Sequence, residues 1–441
     1  MRHDGIPFGN GKTVIDAAGR MPAWRRLLPI AAVVLFLLGV AATTWRIASN
    51  ADIPGQPKVE RYGFQDFRDA FYYPSVALLD GVNPYDPVGY QAHYPVARPT
   101  SPYAPHSFVL HLPFTLFGYG PARWVHYLFN LALLLILARL TLKACGRRIT
   151  VAALFLAATC ILIARPSHQT LFLGQVTFLV TLGVYLALVN DDPHSWWAAA
   201  GVALAAVKPT YGAPLVILLL AQGRLRTVLR GTALAVALVL PALPSLAASA
   251  GGLVPLVRSM VASYSIMEKD HAANAATSVI RLDTPAIVAR LSATPPSDPV
   301  EAAIGLSVLA LGGVAFVRLA RDRSPEGRVR AITMAILTLM LCTYHLAYDG
   351  ILLAIPAAAL FLGARPDRPG PGWAGVPVGV LALVLVPAVN YLATDTMMER
   401  LDLAPALAAA ITVANGVALF AVWVVMALAA LRRRSGAMAA A

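Results

Sequence analysis

Along this chain, apolar runs of about 20 residues recur, separated by short polar stretches. A run of that length crosses the roughly 30 Å hydrocarbon core of a bilayer as a helix. The pattern therefore predicts an all-α polytopic membrane protein. Runs fall at about 27–47, 121–141, 149–164, 170–189, 228–248, 301–319, 331–344, 350–363, 373–393 and 404–431. Two shorter runs, about 196–207 and 211–221, are split by Lys208-Pro209-Thr210. Pro209 ends the first, because it lacks an N–H and clashes with the preceding turn. Broken helices at membrane depth are tolerated only where the backbone lines protein or water. Together the runs predict a bundle of about twelve spans. A further apolar stretch, about 106–118, contains Pro113 and is too short to cross, so it reads as interfacial or re-entrant.

Charge orients this bundle. The sequence carries 35 Lys and Arg against 22 Asp and Glu, a formal +13. In a soluble protein that excess would point to nucleic acid. Here most arginines sit in short loops between apolar runs, where they set topology, and no nucleic-acid partner is expected. Arg25 and Arg26 before the first run, Arg318 to Arg330, and Arg432 to Arg434 all read as cytoplasmic. Residues 1–26 and 432–441 become cytoplasmic tails, and 27–431 one transmembrane domain in the cell membrane. Residues 48–106 and 249–299 become outer loops. The first run is longer than a signal-peptide core, so it reads as an uncleaved span despite the small residues Ala48 to Ala51. Only 13% of residues are charged, against about 25% in soluble domains. Cys145, Cys160 and Cys342 have neither metal-ligand spacing nor an even count, so no metal or disulfide is expected. One half of the chain does not repeat the other.

With so much apolar helix, few places remain for aqueous chemistry. The largest is the stretch 63–106, which sets Asp66, Asp69, Asp80 and Asp86 among Phe67, Phe71, Tyr72, Tyr73, Tyr85, Tyr90, Tyr94 and Tyr103. The other unusual polar residues are His168, Gln175, Lys208, His345 and Asp349. By the charge rule all of these fall on the outer side or near it. Ionisable groups near membrane spans are costly and mark function by default, so their convergence predicts one outward-opening cavity. Each also has a plainer reading. Asp66 and Asp69 could be solvated or helix-capping loop acids, and the aromatics an interfacial belt. Asn83 to Asp86 reads better as a turn. Gln175 could bridge helices, and Lys208 could snorkel to the interface. His345 and Asp349, four apart, could pair on one helix face. His168 reads as a loop residue.

The pattern of Asp66-Phe67, Phe71 to Tyr73, Ala77 to Leu79, Gly81 and Asn83 to Asp86 resembles the first outer loop of glycosyltransferase family 87. Tyr103 to His106, Gly174-Gln175, Lys208-Pro209 and His345 to Asp349 agree in order, so the resemblance covers about residues 27–365. The spacing from Asp66 to Tyr72 and Gly81 is about one residue longer than that pattern has, so Asp69 competes with Asp66 for the same role. The resemblance implies a GT-C-like fold and a sugar donor on a polyprenyl phosphate. It implies an inverting transfer, with an outward Asp66 or Asp69 as general base. Lys208, His345 and Arg281 become candidates for the donor phosphate, and Gln175, Tyr348, Asp349, Tyr103 and His106 for substrate binding. The acceptor would be an envelope glycolipid or polysaccharide, the sugar mannose or arabinose, and no cofactor is implied. No Gly-rich phosphate loop appears, which agrees with a lipid-borne donor.

The alternative is a multi-pass transporter or lipid flippase, a class in which broken helix pairs are common. The acid- and aromatic-rich loop and the absence of paired halves count against it. Orientation is directly testable. A cysteine placed near Asp86 should react with an impermeant thiol reagent in intact cells, and one near Arg323 should not. Labelling of the Arg323 site from outside overturns the orientation.

Overall fold

A computed structural model describes residues 23–50, 63–99, 101–268, 273–292, 294–362 and 376–432. The expected tails lie almost wholly outside these residues, as do parts of both expected outer loops. Among the described residues the chain is helical, and extended backbone pairs only at one bridge, Arg281 with Leu346. Local signals begin the helices. Thr150, Ser195 and Ser324 accept hydrogen bonds from Ala153, Ala198 and Gly327, satisfying first-turn N–H groups. Pro209, Pro325 and Pro405 open helices where a missing N–H costs nothing.

Four helices are long and apolar enough to cross a membrane: Ala23–Ala48, Tyr119–Ala144, Asp298–Leu319 and Pro405–Arg432. Two bent pairs raise the number to six: Val151–Ile163 with Arg165–Leu173, bent by 74°, and Leu225–Val239 with Leu243–Ala250, bent by 62°. The remaining apolar runs form shorter helices, so the expectation of about twelve full spans is not met by length alone. Three further runs depart from single helices. The run expected at about 170–189 is interrupted at Gly174, which closes Arg165–Leu173 in the left-handed region at φ 68°. A Cβ there would stand 2.6 Å from the Cβ of Phe67, so backbone conformation and close approach both require glycine. The run expected at about 350–363 starts as a 3₁₀ turn, Ala347–Leu353, before Ala354–Leu362. The run expected at about 373–393 is a chain of one-turn pieces, Val378–Leu381, Ala382–Leu385 and Val386–Val389.

The expected outer loops are folded. The first contains a π-helix, Phe67–Tyr72, followed by Tyr73–Asp80 and Pro87–His93, and then His106–His111 with the 3₁₀ turn Leu112–Leu116. Its aromatics are core rather than an interfacial belt. Phe64, Phe67, Phe71 and Tyr72 are buried in the main apolar cluster. Phe67 stacks on His126 at 4.2 Å, and Phe71 meets Tyr103 at 4.5 Å. Asn83 to Asp86 is the expected turn, with Asn83 accepting from the Tyr85 N–H at 3.0 Å and Asp86 from Val88 at 3.2 Å. The second loop holds Leu253–Glu268 and Thr284–Leu291.

A close interior contact joins Thr177–Val189 to Trp196–Ala205 through two glycines. A Cβ on Gly201 would stand 2.6 Å from the Ala187 nitrogen, and one on Gly183 2.6 Å from the Ala205 nitrogen. Small residues that let membrane helices approach this closely supply packing that lipid cannot. Gly201→Leu should therefore cost about 2 kcal/mol or more, read as a lower Tm in detergent. Gly118→Leu is the control, since nothing lies within 4 Å of a Cβ at Gly118. Equal Tm values for the two variants would show that the glycine contact does not set stability.

Candidate active site

Two breaks in the helices bring the polar residues together. The first is at Gly174, where the turn delivers Gln175 beneath the π-helix segment. Its Nε2 donates to Oδ2 of Asp66, and its Oε1 accepts from the Tyr103 hydroxyl at 3.0 Å. Asp66 directly precedes the π-helix, yet its side chain makes no capping bond, so the capping alternative does not hold. Asp66 is half-buried. Burial pushes its carboxyl above the usual range and Asp69 adds to this, while Arg98, Gln175 and Lys208 draw it back.

Asp69 is committed elsewhere. It is 2% exposed, and its Oδ1 accepts from Arg68 Nε at 2.7 Å. Its Oδ2 accepts from the backbone N–H groups of Ala97 and Arg98 at 3.2 and 2.9 Å. Its carbonyl accepts from Tyr90 at 2.9 Å. The carboxylate thus pins the far end of the loop to the π-helix, and the two acids that compete for one role are distinguished by their partners.

The second break is at Lys208-Pro209. The helix Trp196–Ala205 ends there, and its last carbonyls lose their helical partners. The segment Tyr103 to His106 supplies replacements. His106 Nε2 donates to Ala203 O at 3.0 Å, and the Ala104 N–H donates to Val207 O at 3.0 Å. Tyr103 to His106 is therefore a strap joining both breaks, and His106 is a support beneath the site.

Lys208 does not snorkel. Its ammonium reaches both Asp349 oxygens, at 2.9 and 3.0 Å, with side-chain exposures of 8% and 0%. The rings of Tyr348 and Tyr211 flank it at 4.9 and 5.1 Å. Asp349 Oδ2 also accepts from the Leu346 N–H at 2.9 Å and meets His345 Nδ1 at 3.0 Å. His345 and Asp349 pair as their spacing predicts, but across the entry to a 3₁₀ turn rather than along an α-helix. Arg281 stands behind them. Four of its N–H groups go to Asp283, Glu301 and the Ala273 carbonyl. Asp283 in turn accepts from the His345 N–H at 3.3 Å. Arg281 holds the His345 segment in place, and its charge is already matched by Asp283 and Glu301.

Asp66, Gln175, Tyr103, Lys208, Tyr348, His345 and Asp349 thus form one polar cluster, with Asp69, His106 and Arg281 as its supports. His168 is elsewhere, 3.4 Å from the Tyr391 hydroxyl. Arg98, Tyr211 and Asp283 were not singled out by the sequence. Arg98 carried a signal, as a basic residue in an outer stretch where the charge distribution expects few. Tyr211 lies three residues after Lys208, which places it on the same helix face. Among the described residues no three His, Cys, Asp or Glu side chains gather as a metal would need. The cluster offers a part-exposed carboxylate with raised proton affinity facing a buried cation, which suits proton removal beside a developing negative charge.

The profile of a family described as Glycosyltransferase family 87 matches residues 102–344, just over half of the chain. The matched segment takes in Tyr103, His106, Gln175, Lys208 and Arg281. Asp66, Asp69, His345, Tyr348 and Asp349 lie outside it. Neither a curated protein nor a solved structure matches the chain.

The buried pair makes a stability prediction that differs from the behaviour of a snorkelling lysine. Removing one member of such a pair strands an uncompensated charge, at about 3–5 kcal/mol. Lys208→Met should therefore lower Tm, and Lys208→Met/Asp349→Leu should recover much of the loss. Additive losses in this cycle would show that the two side chains do not depend on each other.

Proposed function

The chain belongs to glycosyltransferase family 87, and from that membership we propose that this membrane enzyme moves a sugar from a polyprenyl-phosphate donor to an envelope glycolipid or polysaccharide. The sugar is mannose or arabinose. The bundle is a GT-C-like one of about twelve crossings, with both termini cytoplasmic and the site opening outward in the cell membrane. The reading needs no cofactor.

The observation that carries it is the Asp66 carboxylate, half-exposed, oriented by Gln175 and within electrostatic reach of Lys208. In the proposed step an acceptor hydroxyl gives its proton to Asp66 as its oxygen bonds to the anomeric carbon. The bond from that carbon to the donor phosphate breaks, its electron pair leaves with the phosphate, and the configuration inverts. Lys208 and His345 face the charge that develops there. Lys208 is shared with Asp349, so the donor phosphate competes with a carboxylate for the ammonium. That competition favours release of the lipid phosphate once the sugar has left.

Asp66→Asn retains size and hydrogen bonding but cannot take the proton, so transfer should fall by about 10²–10⁴-fold with donor binding retained. The test is transfer from radiolabelled polyprenyl-phosphate sugars by purified protein. Asp66 acts ionised and its proton affinity is raised, so the rate should climb with pH through an acid limb above the ordinary carboxylate range. Gln175→Ala removes a bond that favours the ionised form, and should move that limb further up. Near-normal transfer by Asp66→Asn would overturn the assignment, and loss only in Asp69→Asn would move it to Asp69.

A further inference from the structure

Outside the cluster, the helices Pro209–Ala221 and Asp298–Leu319 enclose an apolar groove of about 490 Å³. Ile217, Leu309, Gly313 and Val314 line it, and Arg318 and Arg321 close one end. Its walls face outward, with Ile217 47% and Val314 48% exposed. Gly313 is part of its wall, and a Cβ there would make only ordinary contact, 3.6 Å, with Leu218, so a larger side chain at this position has room to enter the groove. In a bilayer such a groove is filled by hydrocarbon.

The arginines fix what kind. Glu301, which pairs with Arg281 behind the active site, and Arg318 stand on the same helix. At 1.5 Å per residue they are about 25 Å apart along its axis, close to the thickness of a hydrocarbon core. The cationic end of the groove is therefore at the membrane face opposite the active site. Arg318 is tethered through one N–H to Leu431 O at 3.3 Å, beside Arg432 at the end of the last helix. Arg321 is exposed. The neighbouring acid, Asp322, is bound to Arg330 at 2.5 Å, so the patch stays cationic.

We propose that this groove is a binding site for an anionic diacyl phospholipid, with an acyl chain along Ile217, Leu309, Gly313 and Val314 and the phosphodiester at Arg318 and Arg321. The geometry separates this lipid from the sugar donor, whose phosphate belongs at the other face. Arg318 touches the last helix and Leu218 follows from the helix that Lys208 begins, so a bound lipid braces the scaffold of the site from the far side of the membrane.

The full chain, purified in a neutral detergent, should be given equal amounts of dioleoyl phosphatidylglycerol and dioleoyl phosphatidylcholine and examined by native mass spectrometry. Two arginines at a membrane surface should favour the anionic lipid by about tenfold or more. Arg318→Gln/Arg321→Gln should bring that ratio to near one, and Gly313→Leu should reduce occupancy by both lipids. Circular dichroism of each lipid-free variant reports folding, and the wild-type ratio decides even if a variant fails to fold. Equal retention of the two lipids by the wild type overturns the proposal, as does an unchanged ratio in the folded double variant. Displacement of phosphatidylglycerol by an equal amount of polyprenyl phosphate overturns it too, by making the groove a donor-tail site.

Discussion

The bond between Lys208 and Asp349 is the interaction on which the rest of the site depends. Two opposite charges removed from water are tolerated only when geometry and extra hydrogen bonds offset their desolvation. Here both oxygens of Asp349 are used by Lys208, and one also meets His345 and the Leu346 N–H. The two bonded segments meet where the chain breaks before Pro209 and where it enters the segment after His345 as a 3₁₀ turn. Aromatic rings on both sides of the ammonium complete its surroundings. A continuous α-helix at either place would have carried its charge away from the other.

Around that pair the expected first outer loop is built as a second folded layer. Asp69 ties the π-helix to residues 97 and 98, and Tyr103, Ala104 and His106 tie the loop to both helix breaks. Two of the loop's polar bonds, from His106 and Ala104, reach carbonyls that the break before Pro209 left without helical partners. The aromatics fill the volume between these bonds. Function and packing thus share residues, and Asp66 is distinguished from Asp69 by what its oxygens touch rather than by its place in the chain.

Much of this was legible in the sequence. Apolar run length located the four longest helices to within a few residues. Pro209 marked its break, because proline acts locally. The cost of burying charge singled out Lys208, His345 and Asp349. The rest depended on partners far away in the chain. Lys208 and Asp349 are 141 residues apart, and nothing in either segment announces the other. The break at Gly174 was hidden because apolar residues continue on both sides of it, and the close approach that needs the glycine is to Phe67, more than a hundred residues earlier. The aromatics read as the surround of a cavity or as an interfacial belt, and their burial depended on partners such as His126. Arg281 read as a free cation because its partners, Asp283 and Glu301, lie on either side of a helix that the sequence showed only as loop.

The strap from Tyr103 to His106 has a consequence for the order of synthesis. His106 is made 97 residues before the carbonyl it serves, and Asp66 109 residues before Gln175. At about 5–20 residues per second, the ribosome takes on the order of 5–20 s to produce those partners. For that interval the rings of the nascent loop can meet Phe114, Tyr119 and His126, but Asp66 and His106 lack the partners that fix them. It is a long-range closure of the kind that folds slowly and exposes apolar surface meanwhile. The bundle must be partly inserted before this polar cluster can form, so the candidate site closes only after Asp349 has been made.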